Sequence, residues 1–331
     1  MIVAAADTAN LRLDELQRAL ARALPSASLT TEGGPPLELS PATDPPVLAR
    51  ADVIEDDALR VHRVAGAPEA PFLAFLDGTQ RSDLVAHTND GAPIVLGVVG
   101  AVIREWTGGR GATWSHGRQQ RLYAPRAAML PAEWDAVTSL GLTAIDTSAN
   151  DAGLAEAHPA AHRDAAIQQI QSDRGQLEQR LAQRWCAERA EALYVDGGLR
   201  GSVVLARASQ TVGVIKSHRT LFGDRAARRV IFALAAGERT SVFAVASPSM
   251  VPVASWYLRL HERAGRDPLW GLVRVEVRHE PDAPRAALRS RADGISARIL
   301  AERTPTAHPD ARWDTMAYGI RDCEVFLRAT Q

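Results

Sequence analysis

Apolar positions along the chain follow two rhythms. Leu11, Leu13, Leu16 and Leu20 recur at helical spacing and predict a helix over 8–24. Ile167, Ile170, Leu177, Leu181 and Trp185 keep the same spacing through 161–192, the longest helical signal in the sequence. Further helices are predicted over 223–236 and 283–303 and from about 319 onward. Short apolar runs with few breaks read as strands: "FLAFLD", residues 93–104, "LTAID", "ALYVD", "SVVLARA", "QTVGVIK", "SVFAVAS", "ASWYLRL" and "LWGLVRVEVRH". Between them, 24–48 is rich in Pro, Gly, Ser and Thr and predicts a loop or extended arm. "TNDGAP" predicts a turn after a strand that follows the polar "GTQRSD". The Gly- and Arg-rich 107–121 predicts a loop, either touching phosphates or forming a solvated hairpin tip.

The order is strands, a long helix, a second cluster of strands, then helices. This is a mixed α/β chain with a substantial antiparallel part, not a regular βαβ alternation. A natural division leaves 1–66 as an N-terminal helix and Pro-rich arm and 67–331 as the main domain. The longest apolar run, 92–103, stops at Arg104 and Glu105, so a core strand is expected rather than a membrane span. The first residues lack a basic region before their apolar patch, and no signal peptide is expected. Cys186 and Cys323 form no CxxC, which excludes a zinc knuckle or a disulfide framework and fits a cytoplasmic protein. The net charge of −1 does not advertise nucleic acid. Of 38 lysines and arginines only Lys216 is a lysine. Its survival is chance, or marks a place where a compact ammonium does what a planar guanidinium cannot.

Two stretches echo one another. "FLAFLDGTQRS" and "ALYVDGGLRGS" each run an apolar strand into Asp-Gly, at Asp77 and at Asp196. An aspartate-nucleophile phosphatase would need an acid two residues before Asp77, where Phe75 stands, so that chemistry fails. An actin-like phosphotransferase uses two glycine-rich turns, but its first turn is one residue longer and no adenosine motif follows. Metal-dependent phosphodiester cleavage remains: acids from separate strands and a helix converge on hard divalent cations, which favour oxygen ligands. Glycine after each Asp lets the backbone turn away and leaves room at the strand end. Each Asp also reads as an ordinary turn former when taken alone.

"FLAFLDGTQRS", "RGQLEQRLAQRW", "ALYVDGGLRGS" and "TVGVIKSHR", in that order and spacing, resemble the NurA family of nucleases across roughly 70–330. The resemblance implies a ribonuclease-H-like mixed sheet flanked by helices, preceded by the N-terminal helical and extended arm. It implies a Mn²⁺- or Mg²⁺-dependent deoxyribonuclease that holds two ions. It further implies single-strand endonuclease and 5′-to-3′ exonuclease activity in DNA-end processing, as a homodimer partnered with a HerA-type hexameric ATPase. Asp77, Glu178 and Asp196 match the family's metal-binding acids, and Lys216 matches its lysine. Thr79 and Gly198 stand where the family prefers serine. Near the C-terminus Gly319 replaces a proline, and Asp322-Cys323 stands where an Ala-His pair belongs. Asp322 is therefore expected to complete the metal set, or the site is altered.

Around these, Arg81, Arg200, His218 and Arg219 directly follow the motifs and are candidates for contact with the DNA backbone. Each has an ordinary surface-charge reading beside that one. Asp146 is a rival acid, read as structural, and Trp256, Tyr257, Trp270 and Trp313 are read as core before base-stacking platforms. The altered C-terminal segment keeps a second function open: a non-catalytic DNA-binding or docking subunit of a HerA-type ATPase.

Overall fold

The computed structural model describes residues 11–29, 46–66, 70–107, 110–149, 158–247, 250–263, 265–303 and 313–330. Among them the chain forms fifteen strands: β1 Ser28–Leu29, β2 Val47–Ala49, β3 Asp52–Val53, β4 Val61–Arg63, β5 Ala74–His87, β6 Pro93–Thr107, β7 Arg110–Ala124 and β8 Thr143–Asp146. These are followed by β9 Leu193–Asp196, β10 Thr211–Ile215, β11 Thr220–Phe222, β12 Glu238–Thr240, β13 Phe243–Ser247, β14 Met250–Arg259 and β15 Leu272–Arg278. The α-helices are α1 Leu13–Ala23, α2 Pro131–Thr138, α3 Pro159–Glu188, α4 Val203–Arg207, α5 Arg225–Ala233, α6 Arg285–Glu302 and α7 Tyr318–Thr330.

One large mixed sheet dominates, in the order β3-β13-β14-β15-β10-β9-β5-β6-β7-β8. Its heart is β7-β6-β5, antiparallel throughout, continued by β9 parallel to β5 and β10 parallel to β9. With the long helix α3 between the antiparallel and parallel parts, this is the ribonuclease-H-like arrangement. β15 adds antiparallel to β10, and β14 and β13 extend the sheet on that side. The fold class expected from the sequence is the one observed.

Two helical layers cover the sheet. α3 carries Ala166, Ile170, Leu177, Leu181 and Trp185 into a core shared with Leu76, Val195 and Leu199. Its predicted stripe is buried at every position, as 3–4 spacing on a core-facing helix demands. It starts on Pro159, with the His158 ring nitrogen accepting from the Ala160 N–H. On the other face α7 and α6 share a core with Phe75, Tyr194 and Val214 through Ile320, Cys323, Leu327 and Ile299. β5 thus serves both layers: Phe75 faces α7 and Leu76 faces α3.

Three sequence expectations are corrected. β5 does not break at "GTQRSD" but runs straight from Ala74 to His87, so Asp77-Gly78 is inside a strand and is not a turn. The polar stretch stays extended because the apolar β6 supplies it with an unbroken backbone partner, from Asp77 opposite Val102 to Asp83 opposite Leu96. The Gly- and Arg-rich 107–121 is mostly strand β7, paired along its length with β6. Its polar side chains fill the half-exposed outer part of a sheet rather than a loop. "SVVLARA" forms helix α4: the Ser202 hydroxyl caps the Leu205 N–H, and Val203 and Val204 face solvent. Tertiary context overrides the strand preference of two adjacent valines. Trp256 and Tyr257 are buried core, as read, and Asp146 is structural, accepting from the Arg126 and Ser148 N–H groups and from the Ser148 hydroxyl.

Among the described residues before 67, β1 pairs with β5, β3 with β13 and β4 with β12 in the large sheet, while β2 pairs with β11 in a separate two-stranded sheet. Between β3 and β4, Glu55 lies against Arg239, both wholly buried, with Glu55 Oε2 accepting at 2.7 Å and Oε1 at 3.0 Å. Arg289 adds a bond to Glu55 at 2.9 Å and another to Asp56 at 2.9 Å. Burial pushes the Glu55 carboxyl up, but Arg239, the Val242 N–H and Arg289 together outweigh it and hold it below the ordinary range. A depressed acid contributes stability that is full above its ordinary pKa and lost as pH falls through the folded-state value. Arg239→Met leaves a buried carboxylate without its forked partner and is expected to cost about 3–5 kcal/mol, read as a lower midpoint in urea. That loss is expected to shrink as the pH falls from the ordinary value of 4.5 through the lower folded-state value, where Glu55 becomes neutral.

Candidate active site

The parallel pair β5–β9 sets the geometry. Ala74, Phe75 and Leu76 face Leu193, Tyr194 and Val195 in register, which places Asp77 beside Asp196 at the last residue of β9. β10 ends close by, with Val214 opposite Asp196. Among the described residues the flank of β5 beyond Leu76 has no strand partner until β1 meets Ala86 and His87. The result is a notch at the carboxyl ends of two parallel strands, the position where open α/β sheets bind ligands. The chain leaves the notch at Gly197, whose φ of 138° is closed to side chains, so here the predicted Asp-Gly turn is real.

Asp77 is only 9% exposed, and its Oδ1 accepts from the Gly78 N–H at 2.8 Å. Lys216, just past β10, donates to Asp196 Oδ2 at 2.7 Å. Glu178 arrives from α3 on the opposite face of β5. Its carboxylate lies directly over Gly78, where any Cβ would collide with Oε1 and stand 2.9 Å from Cγ. Gly78 is therefore demanded by the close approach of helix and strand, not by a turn. Arg174, one helical turn earlier, stands 3.4 Å from Glu178 Oε1.

Electrostatics show that these groups form one unit. Burial, then the charge of Asp196, raise Asp77 to about 8; Glu178 adds to the rise while Lys216 and the Gly78 N–H oppose it. Burial likewise raises Glu178 to about 7, with Arg174 lowering it and Asp196 raising it. Lys216 offsets Asp196, while Asp77, raised to about 8, keeps its proton at neutral pH and Glu178, raised to about 7, shares in that protonation. The donor set, all oxygen, suits a hard divalent cation such as Mg²⁺ or Mn²⁺.

Asp322 is placed differently. Its Oδ2 accepts from Arg104 Nε at 2.7 Å, and Arg104 also donates to the Thr113 hydroxyl. The neighbouring Cys323 is what lies close to Asp77. It is fully buried, its thiol donates to the Phe75 carbonyl, and burial followed by the charges of Asp77 and Asp322 pushes it well above the ordinary range. Gly319 sits on the Phe75 ring, where a Cβ would overlap the ring carbons. α7 therefore closes over β5 more tightly than a larger residue at 319 would permit.

The basic candidates divide. Arg81 is exposed and paired with Asp83 at 2.8 Å. Arg219 is exposed, and its carbonyl accepts from Val47. Arg200 is half-buried on the Asp196 turn. His218 turns inward, with Nε2 donating to the Leu272 carbonyl at 2.8 Å and the ring against Tyr257, and burial lowers its pKa. Three groups went unseen in the sequence: Arg104, Gln179 and Glu276. Glu276 accepts from the Leu199 N–H on the Asp196 turn at 2.8 Å, and Gln179 donates to the Gly201 carbonyl at 3.2 Å. The signal for Glu276 is the alternation "RVEVR", which puts charge at every second position of an otherwise apolar strand.

A second acidic group lies far along the sheet. Glu55, Asp56 and His62 bring one possible ligand atom each within 4.8 Å of one another, so the donor set could hold a metal. Its carboxylates are already engaged by Arg239, Arg289 and Ser241, and a cation would have to displace two guanidiniums.

The raised acids have a consequence for stability. Asp77 and Glu178 bind protons more tightly folded than unfolded, so their contribution is full below about 4 and is lost as pH rises through about 7 to 8. In a chelating buffer the melting temperature is expected to fall between pH 5 and pH 9. Asp77→Asn is expected to flatten that slope, and Mn²⁺ to restore stability at the alkaline end of the scan. A slope unchanged by Asp77→Asn would show that the Asp77 carboxyl is not raised in the folded protein.

No protein-family model matches the chain, and no curated protein matches it. Among solved structures, the NurA nuclease from Sulfolobus solfataricus is similar over 84% of this chain and 89% of that chain, with a TM-score of 0.44 and 11% sequence identity.

Proposed function

We propose that this chain is a metal-dependent nuclease of the NurA kind, hydrolysing DNA phosphodiester bonds at the Asp77–Asp196 notch. The observation that carries the reading is geometric: Asp77 and Asp196 stand side by side at the ends of the in-register strands β5 and β9, and Glu178 of α3 lies over Gly78, the residue after Asp77. The four sequence motifs that resemble the NurA family supply these three acids and Lys216 in the family's order.

In this reading Asp77, Asp196 and Glu178 hold Mn²⁺ or Mg²⁺, which supplies an activated water and stabilises the leaving oxygen when bound. Lys216, already 2.7 Å from Asp196, presents its ammonium at the mouth of the notch and offsets charge on the scissile phosphate. Arg174 restrains Glu178 from the flank, and Arg81, Arg200 and Arg219 offer contacts to the DNA backbone. Gly197, where a Cβ would meet no other atom, leaves open space beside Asp196 for a phosphate, while Gly78 makes way for Glu178 and Gly198 for Glu276. Action as a homodimer with a HerA-type ATPase in DNA-end processing belongs to the same proposal and rests on the motif resemblance.

A docking subunit without catalysis is the second reading. The specific observation in its favour is the C-terminal helix, where Asp322 is tied to Arg104 and Cys323 is sealed against Phe75. Digestion of single- and double-stranded DNA with Mn²⁺ separates the two. Wild type is expected to cleave, Asp77→Ala and Asp196→Ala to show no cleavage, and Lys216→Met to lose about 10²–10³-fold. Wild-type activity untouched by both aspartate substitutions would sink the site assignment. Absence of activity with and without an ATPase partner would favour the docking role.

A further inference from the structure

Asp196 ends a strand of only four residues and is followed by two glycines, so its own chain does little to fix where the carboxylate points. Lys216 holds one carboxylate oxygen directly at 2.7 Å, and the turn that carries Asp196 is held from the far side of β10. Glu276 on β15 is opposite Gly213 on β10, which in turn is opposite Val195 on β9. Gly213 has no side chain, and that bare patch of sheet receives the turn after Asp196. A Cβ at Gly213 would lie 2.7 Å from the Gly197 carbonyl and 2.9 Å from Leu199 Cγ. The Glu276 carboxylate reaches the same place, accepts from the Leu199 N–H at 2.8 Å, and lies 3.1 Å from where a Cβ at Gly198 would be.

Glu276 is 1% exposed, and a buried carboxylate is retained only when its charge and lone pairs are met. Arg274 meets it, donating to Oε1 at 2.6 Å while also bonding the Ser255 hydroxyl and covering the Phe222 ring. The other oxygen is spent on the Asp196 turn. From the opposite side Gln179, next to Glu178 on α3, holds Gly201 of the same turn. The turn is thus gripped between β15 and the helix that carries a second acid of the site.

We propose that Glu276 is a positioning residue for Asp196: through Leu199 it seats the 197–199 turn on Gly213 and so sets the Asp196 carboxylate for divalent-cation binding. The inference rests on reading Asp77, Glu178 and Asp196 as the cation site. Residues behind a metal's ligands orient those ligands, and their loss commonly costs about 10–100-fold in metal affinity.

The test titrates the full chain with Mn²⁺ alone by calorimetry and follows thermal unfolding in chelator. Glu276→Ala is expected to weaken Mn²⁺ binding about 10–100-fold while the chelated protein still unfolds cooperatively. Gly198→Ala places a methyl against the Glu276 carboxylate without removing a charge, is expected to weaken binding in the same direction, and decides the matter if Glu276→Ala does not fold. Trp256→Phe removes the core hydrogen bond to Ser296 elsewhere in the sheet and is expected to lower the melting temperature with Mn²⁺ affinity unchanged. Folded Glu276→Ala and Gly198→Ala that bind Mn²⁺ as wild type does would overturn the positioning role and leave the site assignment standing. Wild type that takes up no Mn²⁺, or Asp77→Ala that binds it as well as wild type, would remove the cation site and this inference with it.

Discussion

Burial of Asp77 and Glu178 close to Asp196 is the constraint on which the rest of the site depends. Two in-register parallel strands put the aspartates side by side, and a helix lays the glutamate over Gly78. Each group is partly or wholly removed from water, and burial and proximity raise Asp77 and Glu178 together. Such an arrangement persists without a cation only if the surrounding structure over-determines it. That is visible here: β5 is tied to β6 along its whole length, α3 is anchored by five buried apolar side chains, and the Asp196 turn is gripped from two directions.

Legibility in the sequence followed the physics of each signal. The stripe of α3 and the apolar strands around Asp77 and Asp196 were plain, because burial on a sheet or against one imposes a period on the chain. Asp77, Glu178, Asp196 and Lys216 were found as spaced motifs, and the structure brings those four together. The break assigned at "GTQRSD" failed because strand persistence there depends on the partner β6, which no local pattern reports. "SVVLARA" failed for the same kind of reason: one serine cap and the end of β9 outweigh two β-branched residues. Glu276 escaped because its role lies in a contact across seventy-odd positions of chain, between β15 and the turn after β9.

Glycine carries much of the specification, in two distinct ways. Gly197 is a conformational requirement, set by a φ of 138°. Gly78, Gly213 and Gly319 are requirements of space: Glu178, the 197–199 turn and the Phe75 ring respectively occupy the volume a side chain would take. An Asp-Gly pair read from sequence as a turn signal therefore means different things at its two occurrences. At Asp196 it is a turn, and at Asp77 it is a strand whose glycine admits a helix-borne acid.

The C-terminal helix does not relieve the site's buried acids. α7 covers the face of β5 that Phe75 and Cys323 share, and it can do so at close range because residue 319 has no side chain. Its one acid near the site, Asp322, is drawn off by Arg104, and the residue next to Asp77 is a buried thiol that offers neither charge nor a polar hydrogen-bond donor of any strength. The low-dielectric wall on this side strengthens the repulsion felt by Asp77 instead of screening it. On the other side stands Lys216, the only lysine in the chain, bonded to Asp196 and counted by Asp77 as a stabilising charge. The rest of the balance is met by the protons that the raised Asp77 and Glu178 hold near neutral pH, and a cation entering along the open flank of β5 beyond Leu76 would compete with those protons.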